Sequence, residues 1–392
     1  MNFADQAEER VRHLQARGLI RQLRDLEFYD ACHAVDEKGQ RLFVACSNDY
    51  LGLRFHGDVI SAARDVLERA GIGAGGSRLV TGSNSICSAF EREIADFKGS
   101  EAALLFSSGY MANVGLLSMI AKEGDLILSD EKNHASIIDG CRLSQGKTLV
   151  YPHRDVKYVE NSLRTKRVAG ANCFIVTDGV FSMDGTVAPL PELLALAEKF
   201  DTQLIIDDAH GLEVLGAHGR GSLEHFGMSM GPRIISVGTC SKALGSLGGF
   251  VCGPETLVSL LRSRCHQVLC STMLPPSVVA AARKSLDLLR KSPARVQKIR
   301  HLSAMAMDIF QKNSIQIAGD AGAIFPILVG DEMRAISLAR ELYAQGIYLS
   351  EIRYPSVSMG GARLRMTICA SYNEEEFMGV ITKISKAPIE NR

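Results

Sequence analysis

Lys242 lies in Gly238-Thr239-Cys240-Ser241-Lys242-Ala243-Leu244-Gly245, a glycine-bounded turn that follows the apolar run Ile234 to Val237. Upstream, Leu204-Ile205-Ile206 leads directly into Asp207-Asp208-Ala209-His210. An amine at one strand end and a carboxylate–imidazole pair at another are the groups that pyridoxal phosphate (PLP) requires. The amine forms a Schiff base with the cofactor, and the carboxylate keeps the pyridinium nitrogen protonated so that the ring acts as an electron sink. A carboxylate ending a strand of isoleucines is costly to bury without a partner, and a protonated pyridine nitrogen is a suitable partner for Asp207. His210, three residues further on, is placed to reach the cofactor's phenolic oxygen.

Two other stretches supply what such a cofactor still lacks. Ser107-Ser108-Gly109-Tyr110 follows the apolar run Ala102 to Phe106 and opens a helical stretch, Tyr110 to Ala121. The free N–H groups and dipole of a helix start suit a phosphate. Thr239 and Ser241, beside the lysine, add hydroxyl donors. His134, in Asn133-His134-Ala135-Ser136, follows a further strand end and is placed to stack over the pyridine ring. Taken singly, each has a plain structural reading: Lys242 a surface cation, His210 and His134 hydrogen-bonded core histidines, Ser107 to Tyr110 an ordinary βα turn. Their combination points to PLP. Gly73-Ala74-Gly75-Gly76-Ser77-Arg78 lacks the G-x-G-x-x-G spacing, and no G-x-x-x-x-G-K-[ST], H-E-x-x-H or G-x-S-x-G occurs. Arg78 and its glycines read instead as the frame of a loop at a subunit contact.

The elements that must hold these groups follow an alternating pattern. Short apolar runs at Ala102–Phe106, Leu126–Leu128, Cys173–Val176, Leu204–Ile206 and Ile234–Val237 are spaced by helical stretches, including Pro191 to Phe200. This predicts an α/β fold whose large domain is a mostly parallel sheet covered by helices. Ligands bind beyond the carboxyl ends of such strands, where Asp178, Asp207 and the Lys242 turn all fall. A smaller α+β C-terminal domain is expected after Pro275-Pro276. It comprises a long helix to about Asn313, a strand Ile324 to Val329, a helix through Met333 to Leu342, and a half-buried strand Arg363 to Ile368. Residues 1 to about 28 read as an amphipathic helix. The expected divisions are 1–45, an N-terminal helical arm; 46–280, a large PLP-binding domain; and 281–392, the small domain.

Composition removes other classes. With Lys+Arg and Asp+Glu both 44, no basic excess directs the chain to nucleic acid. No apolar run approaches the ~18 residues of a membrane span. Ten scattered cysteines without a C-x-x-C pair fit a reducing compartment, and the charged N-terminal stretch lacks the apolar core of a secretion signal. A cytoplasmic enzyme is the expectation.

Six motifs occur in order: Asn48-Asp49-Tyr50-Leu51-Gly52-Leu53, Gly75-Gly76-Ser77-Arg78, Asn133-His134-Ala135-Ser136, Asp178-Gly179-Val180-Phe181-Ser182-Met183-Asp184-Gly185, Asp207-Asp208-Ala209-His210-Gly211 and the Lys242 turn. Together they resemble the α-oxoamine synthases, PLP enzymes of fold type I, from about residue 14 to 375. That resemblance implies decarboxylative condensation of an amino acid with an acyl thioester, in a homodimer with a shared active site. Ser77 to Gly82, Ile327 to Asp331 and Ile352 to Val357 resemble the branch that joins alanine to a pimeloyl thioester, on coenzyme A or a carrier protein. The alternative is a glycine-using relative with a short acyl chain. By the same resemblance Lys242 is the Schiff-base lysine, Asp207 the pyridinium partner, His134 the ring-stacking residue and His210 the phenolic-oxygen ligand. Gly109, Tyr110, Ser182 and Thr239 line the cofactor, and the partner subunit's Thr272 reaches its phosphate. Arg365 grips the amino-acid carboxylate, bidentately as guanidinium geometry favours. Arg24 and Ser356, and less directly Asn48, contact the acyl substrate. Cys87 and Tyr372 stand where the family commonly has histidine, a departure that bears on substrate preference.

Overall fold

A computed structural model describes residues 2–16, 19–20, 23–320 and 322–389. The chain opens with helix α1 (Phe3–Ala16) and continues through strands β1 (Leu26–Phe28), β2 (His33–Asp36) and β3 (Arg41–Val44). Helices α2 (Gly57–Ala70) and α3 (Ser85–Lys98) lead into the alternating region. There follow β4 (Ala102–Phe106), α4 (Gly109–Ile120), β5 (Leu126–Asp130), α5 (Ala135–Leu143), β6 (Lys147–Tyr151) and α6 (Val156–Lys166). Next come β7 (Cys173–Asp178), α7 (Leu190–Lys199), β8 (Gln203–Asp207), α8 (Ser222–His225), β9 (Ile234–Thr239) and β10 (Gly249–Gly253). Helices α9 (Glu255–Arg264), α10 (His266–Leu269), α11 (Pro276–Lys291) and α12 (Ala294–Lys312) then pass to the C-terminal elements. These are β11 (Ile324–Gly330), α13 (Glu332–Ala344), β12 (Ile347–Tyr348), β13 (Ser350–Ile352), β14 (Ala362–Thr367) and α14 (Glu374–Lys386).

The central sheet has seven strands in the order β4-β10-β9-β8-β7-β5-β6, and only β10 runs antiparallel to its neighbours. Burial on both faces explains why its strands are near-continuous apolar runs. Along β8, Ile205 packs with Val176, Ile235 and Leu116, whereas Leu204 and Ile206 pack with Ile175, Leu193 and Leu163. Helices α4, α5 and α9 therefore cover one face, and α6 and α7 the other. Towards β4 and β10 that second face is closed by α3 and α11 around Phe90 and Phe250. All the parallel strands point their carboxyl ends the same way, which creates the rim on which ligands sit. Among the described residues no helix is long and apolar enough to cross a membrane.

Three local expectations are revised. The N-terminal helix is described over Phe3–Ala16, residues 1, 17–18 and 21–22 of the expected helix lie outside the described residues, and residues 26–44 form a meander. β3 pairs in parallel with β12, so this segment is joined to the C-terminal elements. The long helix before Asn313 is two helices, because Pro293 cannot donate the hydrogen bond a continuous helix needs there. β14 is buried along its whole length rather than on one face. It lies between β11 and β13, and the Thr367 hydroxyl and amide bind the Ser47 and Ala45 carbonyls of the loop after β3.

Candidate active site

The rim holds a cavity of about 230 Å³ lined by Gly109, Tyr110, His134, Asp207, His210, Thr239 and Lys242, with Ser108, Ser136, Asp178, Val180, Ala209 and Ser241. They come from five strand ends, those of β4, β5, β7, β8 and β9. At the end of β4, Ser108 caps α4 by accepting from the Met111 amide at 3.1 Å. The Gly109 and Tyr110 amides belong to the helix's unpaired first turn and border the cavity. A Cβ at Gly109 would lie 3.2 Å from the Thr239 Cβ, so glycine lets α4 come close to β9. There the Thr239 and Ser241 hydroxyls are 2.7 Å apart.

Asp207 ends β8 and is buried. Its Oδ1 accepts from the Ala209 amide at 3.0 Å, and its Oδ2 accepts from Asn113 Nδ2 at 2.5 Å. Two donors leave carboxylate lone pairs to spare. Asp178, at the end of the neighbouring β7, is held well above the usual carboxylate range by burial and then by the charge of Asp207. The Lys242 amine is pulled below its ordinary value by burial, against the opposing pull of Asp207 and Asp178.

Both histidines are held as neutral imidazoles. Burial lowers the pKa of His134, and burial followed by the nearby Lys242 and Arg365 charges drives that of His210 well down. His134 is itself the N-cap of α5, its Nδ1 accepting from the Ser136 amide at 3.3 Å. His210 Nδ1 lies 2.6 Å from the Tyr50 hydroxyl. Arg365 Nη2 donates to that hydroxyl at 3.3 Å, and the Tyr50 proton has two acceptors within reach, His210 Nδ1 and, at 3.3 Å, Asn48 Oδ1. With Nδ1 accepting, the His134 ring carries its proton on Nε2. Arg365 also donates from Nε to the Ser182 carbonyl at 2.7 Å and from Nη2 to Asn48 Oδ1 at 3.1 Å.

This donor set fits PLP. A helix start and two hydroxyls match a phosphate, a buried carboxylate with spare lone pairs matches a pyridinium N–H, and an amine of lowered pKa matches a carbonyl carbon. The class defined by fold and site is a PLP-dependent enzyme on a mostly parallel α/β sheet.

The chain belongs to the aminotransferase class I and II family, whose model matches residues 42–384, and within it to the α-oxoamine synthases. It is 40% identical to an 8-amino-7-oxononanoate synthase of Geobacter sulfurreducens, over 96% of both chains. In structure it matches a serine palmitoyltransferase of S. paucimobilis, crystallised with a PLP–myriocin adduct, at TM-score 0.92 and 27% identity over 98% of each chain. It also matches an 8-amino-7-oxononanoate synthase of Francisella tularensis at TM-score 0.75 and 28% identity, over 88% of this chain and 97% of that one.

The remaining expected residues sit elsewhere. Ser182 meets the site through its carbonyl, bound by Arg365. Thr272 is bridged to Ser77, outside the lining of its own chain's cavity. Arg24 lies with its guanidinium 4.6 Å over the Tyr343 ring, and the Ser356 amide bonds the Arg353 carbonyl; neither lines the cavity. Arg78 pairs with the buried Glu91 on α3, so it braces its own subunit's loop. Asn113, Ser136 and Tyr50 hold the site together, yet sequence reasoning assigned them no role. Asn113 did carry a signal, as a polar residue among Met111, Ala112, Val114, Leu116 and Leu117.

Proposed function

We propose that this chain condenses L-alanine with a pimeloyl thioester, releasing carbon dioxide and the free thiol and leaving 8-amino-7-oxononanoate, a step of biotin synthesis. The observation that carries this reading is the placement of a buried guanidinium, Arg365, close enough to the buried amine for its charge to act on it. Arg365 is tied through Tyr50 to His210, which shares the cavity with Lys242. That arrangement supports an α-amino acid substrate, and likeness to the synthases over nearly the whole chain supports alanine and the pimeloyl group.

PLP, when bound, supplies an electron sink for negative charge at the amino acid's α-carbon. Asp207 presents a fixed negative charge to the ring nitrogen, held in place by Asn113 and the Ala209 amide. Lys242, with its pKa lowered by burial, is suited to taking the α-proton as a general base. His134 would offer a neutral ring to the cofactor from the cavity wall. His210 presents a neutral imidazole to the cavity. Arg365 holds the substrate carboxylate and so fixes which bond at the α-carbon is aligned for cleavage.

The test is a panel of alanine, serine and glycine against acyl thioesters of several lengths, scoring free thiol and product mass. Alanine with the pimeloyl thioester is expected to exceed glycine by on the order of 10-fold or more. A preference for glycine would move the chain to another branch of its family. Keto-acid-dependent amino exchange without thiol release would make it an aminotransferase.

A further inference from the structure

We infer that Asn113 is a positioning residue that orients two parts of the cofactor site at once. The inference rests on the PLP reading above. Asn113 lies inside α4, 1% exposed, on a helix turn whose neighbours in sequence, Ala112 and Val114, are apolar and buried. Its Nδ2 donates one hydrogen to Asp207 Oδ2 at 2.5 Å and the other to Ser136 Oγ at 2.9 Å. The amide cannot be reversed, because its oxygen would then face the Asp207 carboxylate. Having accepted from Asn113, the Ser136 hydroxyl is free to donate to His134 Nδ1, 2.7 Å away.

The chain of donors therefore has a direction. One fixed –NH₂ group aims the acid meant for the ring nitrogen. Through Ser136 it also keeps Nδ1 of His134 an acceptor, with the proton on Nε2. A buried amide with both hydrogens used in this way costs free energy unless both contacts are kept. Its own Oδ1 has no hydrogen-bond partner, so the residue is not there to satisfy itself. Placing the pair on α4 links cofactor orientation to the same helix whose first turn faces the phosphate.

The experiment measures PLP affinity of the apoprotein and the pH dependence of the visible absorbance for wild type, Asn113→Leu, Asn113→Asp and Ser136→Ala. Asn113→Leu keeps the volume and removes both donors; PLP affinity is expected to fall by on the order of 10- to 100-fold. Asn113→Asp keeps the shape but sets two acids about one hydrogen-bond length apart. They cannot both ionise, so its affinity should fall as pH rises from about 5 to 8, while wild type stays flat. Ser136→Ala should retain affinity within a few-fold yet move the pH midpoint of the absorbance band, since only the His134 branch is cut.

Wild-type affinity and pH response in Asn113→Leu and Asn113→Asp would overturn the inference. Should Asn113→Leu fail to fold, the pH response of Asn113→Asp and the midpoint of Ser136→Ala decide it. A wild-type apoprotein that binds no PLP would instead overturn the cofactor reading itself.

Discussion

At the residue scale, Glu213 is the side chain most at odds with its surroundings. It is fully buried three residues after His210, neither carboxyl oxygen has a hydrogen-bond partner, and its φ of +65° lies in the left-handed region. Burial drives its pKa well above 4.5, with Lys98 pulling weakly the other way. The folded chain thus keeps a proton that the unfolded chain releases above about pH 4.5. Stability from this group is complete below that pH and is lost as pH rises toward the raised folded value. Glu213→Gly removes both the strain and the orphan acid, so a gain of about 1–2 kcal/mol is expected at pH 7. Thermal melts from pH 5 to 8 should show the gain widening with pH. A gain that is absent, or that shrinks with pH, would refute this account of Glu213. None of this is visible in the string Gly211-Leu212-Glu213-Val214, where Glu213 reads as an ordinary loop charge; only the packing of Lys98, Cys240 and Gly219 around it makes it otherwise.

At the element scale, the contact between β10 and the start of α4 decides whether the phosphate end of the site exists. β10 is the strand that runs against its neighbours, and Gly249 faces Thr239 on one side and Phe106 on the other. A Cβ at Gly249 would lie 2.4 Å from the Gly109 nitrogen and 2.5 Å from its Cα. Those are backbone atoms, so the helix start must move. Gly249→Ala is expected to weaken PLP binding by on the order of 10-fold or more, because backbone N–H groups bind anions only when correctly aimed. Titration of the apoprotein with PLP checks this, and an unchanged dissociation constant would show that the helix start tolerates the shift. The parallel strands were legible as apolar runs closed by turn residues. β10 was not, since Gly249-Phe250-Val251-Cys252-Gly253 is short, bounded by glycine and antiparallel. The Ser292–Pro293 break was missed because apolar periodicity continues on either side of it.

At the scale of the molecule, Arg365 joins parts of the chain that are far apart in sequence. It is buried on β14, and its guanidinium binds Ser182 after β7 together with Asn48 and Tyr50 after β3. Assembly of the Arg365 network therefore requires the C-terminal sheet to dock against the segments after β7 and β3. Arg365→Lys keeps the charge and loses the planar fork. The expected result is a rise in KM for alanine of about 10-fold or more with a smaller change in kcat, as for lost ground-state binding. Steady-state kinetics separates the two, and an unaltered KM would remove Arg365 from the amino-acid subsite.

Sequence alone determined the reaction class and the sheet. A lysine, an aspartate and two histidines each stood just past an apolar run, and strand ends of a parallel sheet must share one rim. What only tertiary structure decided is how those groups are tuned. The tautomer of His134, the lowered pKa of His210 and the aim of Asp207 depend on Asn113, Ser136, Tyr50 and Arg365, which reach them across 2 to 160 residues of chain. Hydrogen bonds and burial act through space over a few ångströms, and linear spacing does not carry that distance.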